Sequence, residues 1–249
     1  LRLADEGCDI IRLAVPDADA ARATKEITAA SPIPVVADIH FDYRLALACI
    51  DNGVDKIRIN PGNLGGEEKA AAVAKAAKAA KIPIRIGING GSLEKGLLER
   101  CGGDLALAMV ESAQGHIDIL NRCDFDDIVL SMKSSDVKTT IRAYRLAHER
   151  FDYPLHLGVT EAGTTESGIV KSAIGIGALL ADGIGDTIRV SLTDDPIEEV
   201  KAAKLILQSL NLYGDYVNIV SCPTCGRTKI DLISVANAVR REIGNLPIK

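Results

Sequence analysis

The sequence predicts an α/β protein that folds as a TIM-type (β/α)8 barrel, and three observations favour this class. Short β-branched segments alternate with helix-forming segments along most of the chain. The 249 residues, 47% of them hydrophobic, suffice for one large core, and single barrels commonly have this length. No Gly-x-Gly-x-x-Gly follows a strand where an open dinucleotide-binding sheet would need it, which disfavours that alternative.

Seven strands are predicted, each followed by a helix, after a first segment (residues 1–7) that resembles the last turns of a helix. The strands span residues 10–15, 34–40, 56–60, 83–88, 128–133, 155–161 and 187–191. The helices span residues 17–30, 42–52, 67–80, 104–122, 136–150, 166–182 and 196–210. Because such an array closes into a barrel at eight strands, we expect one strand to precede this chain, which we interpret as a piece of a longer protein.

Charged residues recur near the carboxyl ends of these strands. The cations are Arg12, Arg58, Arg85, Lys133 and Arg189, and the anions are Asp38 and Glu161. If all converge, the site has a formal charge of about 5 − 2 = +3, which is costly to bury unless an anion completes it. The sequence therefore predicts a ligand with more than one negative charge at the mouth of the barrel.

Small polar loops follow several strands at the same end. They include Asn60-Pro-Gly-Asn63, Asn89-Gly-Gly-Ser92, Lys133-Ser-Ser-Asp136 and residues 160–168. Any one of them could serve only as a turn or a helix cap, but helix N-termini also suit phosphate oxygens. Four such loops beside strand-end cations favour a phosphate-binding mouth, the usual place for a site in this architecture.

The histidines differ in their predicted surroundings. His40 and His156 lie on predicted strands, where a histidine is more often a hydrogen-bonded core residue than a catalyst. His40 lies two residues beyond Asp38 and therefore shares its inward face. His116 and His148 lie on predicted helices and are expected to face solvent.

Composition argues against several kinds of partner. The net charge is −5, tryptophan is absent and aromatic residues make up 3% of the chain, so nucleic acid is a poor candidate. No apolar run is long enough to cross a bilayer, and no signal peptide is visible at Leu1. We therefore expect a soluble, cytoplasmic protein that binds neither nucleic acid nor membrane.

The Cys222-Pro-Thr-Cys225-Gly226 turn follows a further predicted strand at residues 216–220. Two such thiolates are half of a four-coordinate metal site. The other ligands would come from another cysteine of the chain, from a partner chain or from sequence beyond residue 249, and we favour the last. The remaining cysteines are scattered along the chain and are expected to be free, as small apolar residues.

Several motifs together carry a resemblance to a known family. They are Asp38-Ile-His-Phe-Asp-Tyr-Arg, Arg58-Ile-Asn-Pro-Gly-Asn, Arg85-Ile-Gly-Ile-Asn, Leu155-His-Leu-Gly-Val-Thr-Glu-Ala-Gly, Gly185-Asp-Thr-Ile-Arg-Val-Ser-Leu and Cys222-Pro-Thr-Cys-Gly-Arg. Over essentially the whole chain, the sequence resembles the 4-hydroxy-3-methylbut-2-enyl diphosphate synthases. The resemblance implies a substrate-binding barrel at residues 1–212 and the beginning of a C-terminal α/β iron–sulfur domain at residues 213–249. It also implies a bacterial type, because plant members carry a large insertion for which this chain has no room.

The resemblance implies a reductive ring opening and dehydration of 2-C-methyl-D-erythritol 2,4-cyclodiphosphate. The five strand-end cations would hold the diphosphate. Hydrogen bonds to it would come from Asn60, Asn89 and Ser191. Asp38, His40 and Glu161 would face the carbon skeleton, and Glu161 is the first choice for the acid that delivers a proton as water leaves.

The resemblance further implies a [4Fe–4S] cluster that delivers two electrons. Cys222 and Cys225 match two of the family's three cluster cysteines, and the third cysteine and a glutamate ligand are expected beyond residue 249. Flavodoxin or ferredoxin would donate the electrons. The protein would be a homodimer in which the cluster domain of one subunit covers the barrel mouth of the other.

Two alternatives of other classes remain open on the sequence. One is a non-redox, phosphate-binding barrel similar to the pterin-using synthases, with Cys222 and Cys225 in a structural zinc knuckle. The other is a non-catalytic metal-binding or assembly module whose strand-end arginines pair only with the protein's own acids.

Overall fold

The structure, a computed structural model, describes residues 1–214, 217 and 219–243. The chain divides into two compact units, Leu1–Ala203 and Lys204–Lys249. The placement of the domain boundary between residues 212 and 213 stays a prediction.

The seven predicted strand–helix pairs are present; the helices have nearly the predicted bounds, whereas β6 and β7 are much shorter than predicted. The strands are β1 (Ile11–Ala14), β2 (Val35–Asp38), β3 (Lys56–Ile59), β4 (Ile84–Asn89), β5 (Ile128–Lys133), β6 (His156–Leu157) and β7 (Thr187–Ile188). The helices are α1 (Arg2–Asp5), α2 (Ala18–Ala30), α3 (Tyr43–Asp51), α4 (Glu67–Ala80), α5 (Leu97–Arg100), α6 (Leu105–Arg122), α7 (Val137–Arg150), α8 (Thr165–Ala181), α9 (Pro196–Ser209) and α10 (Leu232–Ile243). Each of the seven predicted strand-following helices agrees with the structure to within one residue, whereas the short helix α5 was not predicted.

All strand pairs are parallel, and neighbours in the sheet are neighbours in sequence. Strands β1 to β5 form one sheet, and β6 pairs with β7. A backbone bridge between Leu130 and Leu155 joins the two sheets. This arrangement confirms the TIM-type α/β class, although no pairing between β7 and β1 closes the barrel among the described residues.

The alternation of side chains along β4 shows how the sheet separates core from site. Ile84, Ile86 and Ile88 are at most 1% exposed, as expected for the face beneath the helices. The intervening residues Arg85 and Gly87 point to the other face, which becomes the barrel interior. Branched apolar residues therefore stabilise the sheet while polar ones line the interior.

Four helices begin with an aspartate whose side chain accepts a hydrogen bond from a backbone amide of the first turn. The donor–acceptor distances are 2.8 Å for Asp17, 3.0 Å for Asp42, 3.2 Å for Asp104 and 2.7 Å for Asp136. Such a cap contributes about 1 kcal/mol and prevents the preceding strand–helix connection from fraying. It explains why the predicted helix starts agree so closely with the structure.

The strands after β5 are shorter than predicted. β6 ends at Leu157 and β7 ends at Ile188, although the amide of Arg189 still donates a 2.9 Å hydrogen bond to the carbonyl of Leu157. In the second unit, the predicted strand at residues 216–220 includes two positions, 216 and 218, that lie outside the described residues. The described positions of that segment adopt no regular structure.

Among the described residues, no helix combines the length and the apolar character that a membrane span requires.

Candidate active site

The strand register places polar and charged side chains next to each other across β2 to β5, most of them near the carboxyl ends of the strands, whereas Arg85 is the second residue of β4. Asp38 is opposite Arg58 between β2 and β3, and Arg58 is opposite Arg85 on β4. At the end of β4, Asn89 is opposite Lys133 of β5. The sheet therefore gathers residues that are far apart in sequence, with Arg85 four residues before Asn89 on β4.

Asp38 is the centre of an ion-pair network. It is 4% exposed, and its two carboxylate oxygens each accept a 2.9 Å hydrogen bond, one from Arg12 and one from Arg58. His40 Nε2 is 3.8 Å from Asp38 Oδ1. Burial by itself raises the pKa of Asp38, but Arg58, Arg12 and Lys133 outweigh it and hold the pKa below its ordinary value. At neutral pH, Asp38 is therefore an ionised hydrogen-bond acceptor.

Arg85 contacts no carboxylate among the described residues. It is 6% exposed, and its Nε atom has no hydrogen-bond partner there. Burial lowers its pKa to about 10, and repulsion from Arg12 adds to the effect, although Asp38 opposes it. A buried guanidinium without an anion is costly, so Arg85 favours the binding of one.

Among the strand-end cations, Lys133 likewise has no hydrogen-bond or ion-pair partner in the described part of the chain. Burial lowers its pKa to about 7, with repulsion from Arg58 and Arg189 as the next causes and attraction to Asp38 opposing them. The lysine therefore gives up its proton near neutral pH far more readily than an unperturbed lysine does. An anion bound beside it would raise this pKa, so Lys133 can take up a proton when a ligand arrives.

Arg189 follows β7 and is anchored by its neighbours. Its Nη1 atom donates a 2.5 Å hydrogen bond to Ser191 Oγ and a 3.3 Å one to the carbonyl of Val159. Burial lowers the pKa of Arg189, the phenol of Tyr144 opposes this, and repulsion from Arg12 adds to it. The structure thus brings Ser191 into contact with one of the predicted phosphate-binding cations.

Two glycines make room for arginine side chains, Gly87 in β4 and Gly158 directly after β6. Neither was among the predicted site residues. A Cβ atom on Gly87 would lie 2.4 Å from Arg58 Nη2, and one on Gly158 would lie 2.7 Å from Arg189 Cγ. The carbonyl of Gly87 also accepts a 3.3 Å hydrogen bond from Arg58 Nη2. A glycine inside a β-branched strand often marks a close approach, and this is the signal that could have identified both positions.

Asn60 and Asn89 begin the loops after β3 and β4. In each, the side-chain oxygen accepts a 3.1 Å hydrogen bond from the amide two residues later, that of Gly62 and that of Gly91. The side-chain nitrogen of each asparagine has no partner among the described residues. Both asparagines can therefore donate a hydrogen bond to a ligand oxygen without giving up the turn that holds them.

Glu161 and His40 are more open than the cations. Glu161 lies in the loop after β6, is exposed and adopts a left-handed conformation with φ of 50°, which is uncommon for a residue other than glycine. The His40 side chain is 48% exposed and its closest charged neighbour is Asp38. The structure shows no ion pair between Glu161 and the cations in the described residues, so its role as an acid stays a prediction.

The other histidines agree with the expectation from the sequence at two positions and depart from it at the third. His156 Nδ1 is 2.7 Å from Thr187 Oγ1, and burial, reinforced by Arg85 and Arg189, holds its pKa well below its ordinary value. His156 is therefore a neutral, hydrogen-bonded interior residue. His148 is exposed as predicted, but the prediction that His116 faces solvent is wrong, because it is 3% exposed.

Cys222 and Cys225 are exposed in the second unit. Hydrogen bonds from the backbone and side chain of Arg227 and from Thr228 lower the pKa of Cys225. A thiol of lowered pKa suits a metal ligand, since the thiolate is the species that binds. Within the described residues, no group of three or more potential ligands forms, and the role of this pair as metal ligands stays a prediction.

Comparison with known proteins identifies close relatives. The family model of the GcpE TIM-barrel domain matches residues 1–204. The 4-hydroxy-3-methylbut-2-en-1-yl diphosphate synthase (flavodoxin) of Clostridium tetani is 58% identical over 242 residues, which are 97% of this chain and 69% of that protein. The enzyme of the same name from Clostridium perfringens is 59% identical over 243 residues, which are 98% of this chain and 70% of that protein.

Solved structures of dihydropteroate synthases share the fold. The Yersinia pestis enzyme with a pterine-sulfa conjugate has a TM-score of 0.59 and 12% identity, and the alignment covers 84% of this chain and 86% of that one. The Clostridium difficile enzyme with pteroic acid has a TM-score of 0.55 and 19% identity, with 84% of each chain covered. At these identities the likeness shows the barrel fold alone, and it does not support the pterin-synthase alternative.

Proposed function

Because the chain belongs to the 4-hydroxy-3-methylbut-2-en-1-yl diphosphate synthase family, we propose that it converts 2-C-methyl-D-erythritol 2,4-cyclodiphosphate to 4-hydroxy-3-methylbut-2-enyl diphosphate. The chain is accordingly an oxidoreductase of isoprenoid biosynthesis by the non-mevalonate pathway. In this reaction a carbon–oxygen bond of the cyclic diphosphate breaks and a hydroxyl group leaves as water. Two electrons and the protons that balance them are taken up.

The single observation that carries this proposal for the site is that buried Arg85 and half-buried Lys133 contact no carboxylate among the described residues. They accompany the Asp38 network, in which one carboxylate faces two arginines, so the site has a surplus of positive charge. Each phosphate of a cyclic diphosphate keeps one ionised oxygen. A ligand with two phosphates therefore matches both the sign of this surplus and its extension across several strands.

The proposed binding set follows from the contacts of each residue. The diphosphate is held by Arg12, Arg58, Arg85, Lys133 and Arg189, with Asn60, Asn89 and Ser191 as hydrogen-bond donors. Planar guanidinium groups suit phosphate because two N–H groups can face two oxygens at once. Since Asp38 already fixes Arg12 and Arg58 by 2.9 Å hydrogen bonds, the site is organised before the ligand binds.

The remaining polar residues are proposed to act on the carbon skeleton. Glu161 delivers the proton to the oxygen that leaves as water, because it is a carboxyl group at the mouth that no cation of the network engages. Asp38 is unsuited to this step, since its neighbours keep it ionised, and it instead accepts a hydrogen bond from a substrate hydroxyl. His40, 3.8 Å from Asp38, completes this wall of the site.

The family is one of iron–sulfur enzymes, and we propose that Cys222 and Cys225 supply two of the ligands of a [4Fe–4S] cluster. Their exposure and the lowered pKa of Cys225 suit that role. The cluster, when bound, supplies the two electrons of the reduction. The third cysteine and a glutamate would be contributed by residues outside these 249.

The partners are likewise proposals. Flavodoxin is favoured over ferredoxin as the electron donor, because the names of the relatives specify flavodoxin. A homodimer, in which the cluster domain of one subunit covers the barrel mouth of the other, would exclude water from the site during reduction. A cytoplasmic location fits the expectation from the sequence.

The test is turnover of the cyclic diphosphate by the full-length protein under anaerobic conditions with reduced flavodoxin. We expect Glu161→Gln to bind substrate with unchanged affinity and to lose roughly 100-fold or more of kcat, the usual contribution of a positioned acid. Glu166→Gln, an exposed glutamate at the start of α8, is the matched control and should retain full activity.

Two outcomes would contradict the proposal at different levels. Unchanged turnover by Glu161→Gln would remove the acid role and leave the activity standing. Failure of the wild-type protein both to bind and to convert the cyclic diphosphate would overturn the proposed function itself.

A further inference from the structure

Three side chains form a cluster between the loops that follow β3 and β4, and none of them has a role in the site described above. Ser112 and His116 lie four residues apart on α6, so they share one face of the helix. Ser112 Oγ donates a 3.0 Å hydrogen bond to Glu94 Oε1, and His116 Nε2 is 3.0 Å from the same oxygen. Two groups of one helix therefore converge on a single carboxylate oxygen.

His116 also contacts the loop after β3. A Cβ atom added to Gly62 would lie 2.7 Å from His116 Cε1, so the imidazole packs directly against the backbone of the Pro61–Asn63 turn. The amide of Gly62 in turn donates to the side-chain oxygen of Asn60 at 3.1 Å. The position of His116 thus determines how closely the turn beside Asn60 can approach α6.

Glu94 belongs to the connection that begins with Asn89. The side-chain oxygen of Asn89 accepts a hydrogen bond from Gly91, three residues before Glu94. The Glu94 side chain is 44% exposed, whereas that of His116 is 4% exposed. A half-exposed carboxylate on one loop is thereby tied to a buried imidazole that supports the other loop.

The unsatisfied atoms of His116 argue against a purely structural role. Neither ring nitrogen has an aligned hydrogen bond among the described residues, although Nε2 is at ion-pair distance from Glu94. Buried polar groups in native proteins nearly always have a partner, and exceptions call for an explanation. Packing alone would be served better by an apolar residue at this position.

We propose that Glu94 and His116 form a latch that holds Asn60 and Asn89 at the spacing that the ligand's oxygen atoms require. Both are positioning residues, since they act through the two asparagines and do not touch the ligand. The inference rests on the proposed function, because that function assigns Asn60 and Asn89 to the cyclic diphosphate. It adds an interaction that links the loop at Asn60 to the loop at Asn89, and the strand-end residues alone do not provide such a link.

The test is calorimetric titration of the full-length protein with the cyclic diphosphate, combined with hydrogen exchange at the amides of Gly62 and Gly91. Glu94→Ala is the primary variant, because Glu94 is half-exposed and its removal leaves no cavity. We expect about tenfold weaker binding, equivalent to one lost hydrogen bond, and faster exchange at both amides. The melting temperature should be nearly unchanged.

Two further variants separate the latch from other effects. Glu94→Gln keeps an oxygen that can accept from Ser112 and His116, so it should restore most of the affinity. Glu99→Ala removes an exposed glutamate of α5 that makes no side-chain hydrogen bond among the described residues, and it should bind like the wild type. His116→Gln should weaken binding as Glu94→Ala does.

The possible outcomes distinguish the latch from the proposed function. Wild-type binding together with equal affinity for Glu94→Ala would overturn the latch and leave the function standing. An equal loss for Glu94→Gln and Glu94→Ala would also overturn it, because the oxygen that glutamine keeps for Ser112 and His116 would then have no part in the effect. If the wild type does not bind the cyclic diphosphate, both inferences fall together.

Discussion

The two sides of the barrel mouth differ in whether their cations pair with a carboxylate. On the side of β1 to β3, Arg12 and Arg58 share the two oxygens of Asp38 at 2.9 Å. On the side of β4 and β5, Arg85 and Lys133 have no carboxylate among the described residues, and their pKa values fall to about 10 and about 7. Cations that bond to a carboxylate can hold a fixed geometry before a ligand binds. Cations that contact no carboxylate attract an anionic ligand most strongly.

The difference follows from the place of Asp38 in the sheet. β2 lies between β1 and β3, so one carboxylate can reach an arginine on each neighbouring strand. The strands beyond β3 offer no second carboxylate that pairs with a cation of the mouth in the described residues. Both sides therefore have a surplus of positive charge, with one carboxylate against two arginines on the first side and no paired carboxylate on the second. A ligand that spans both sides would contact prearranged and unpaired cations together.

Replacing the equivalent arginine on each side gives the largest expected effect. Arg58→Met leaves the buried Asp38 with a single, half-exposed partner and should lower the free energy of unfolding by about 3 kcal/mol. Arg85→Met removes a buried charge that has no carboxylate and should leave stability unchanged or raise it. Both should weaken binding of the cyclic diphosphate by roughly 10- to 100-fold, as expected for a lost hydrogen bond to a charged group. Urea unfolding and calorimetric titration measure the two effects.

The matched control for this comparison is Arg145→Met. Arg145 forms an exposed ion pair with Asp182, and such pairs contribute about 0–1 kcal/mol. Equal destabilisation by Arg58→Met and Arg85→Met would show that the two sides of the mouth do not differ as described.

The second test of this comparison is the pH dependence of stability that Lys133 should cause, which is an effect of intermediate size. Its pKa is about 7 in the folded protein and about 10.5 when unperturbed, so between these values the unfolded chain binds more protons. Stability should therefore rise as pH increases from about 7 to about 10 and be lost again as pH falls towards 7. Lys133→Met should remove this slope, whereas Lys138→Met, at an exposed position, should retain it.

The protonation of Lys133 should also be measurable through binding of the cyclic diphosphate. At pH 8 the cyclic diphosphate should bind with uptake of close to one proton, because the bound anion raises the pKa of Lys133. Titrations in two buffers of different protonation enthalpy measure this uptake. A pH-independent stability together with no proton uptake would contradict the assignment of an unpaired cation at this position.

The glycines beside the arginines give the smallest expected effect. Gly158→Ala places a methyl group 2.7 Å from Arg189 Cγ, so the side chain must shift, and binding should weaken roughly tenfold. Gly177→Ala is the control, because no atom lies within 4 Å of its Cβ position and alanine should stabilise helix α8 by about 0.5 to 1 kcal/mol. Unchanged affinity in Gly158→Ala would mean that Arg189 has freedom that its present contacts do not show.

Local patterns predicted the elements well and the site in part. The helix starts were predictable because four of them carry an aspartate cap, which is a short-range signal. The cations were predictable because an arginine in a β-branched strand departs from the pattern. The strand ends were less predictable, since β6 and β7 are each only two residues long and their limits depend on pairing with neighbouring strands.

The features that escaped prediction depend on contacts between distant parts of the chain. His116 was expected to face solvent because it is a histidine on a helix, yet it is buried against the turn at Gly62 and lies beside Glu94. Its spacing from Ala113 and Leu120, three and four residues away, places it on the buried face of α6. Likewise, Gly87 and Gly158 read as ordinary strand glycines until the neighbouring arginines are placed beside them. No local pattern identifies the residues that these side chains contact, because the partners belong to other elements.

By itself, the sequence determined the barrel class, the order of its elements and the family, through periodicity, caps and motifs that act over a few residues. Only the tertiary structure decided which cations pair with a carboxylate and which do not. The chain contains Arg58 and Arg85 in similar strands, but the register places a carboxylate oxygen 2.9 Å from the first, while the second contacts no carboxylate among the described residues. Electrostatic energy depends on distance in space, and that distance is established only when the strands assemble.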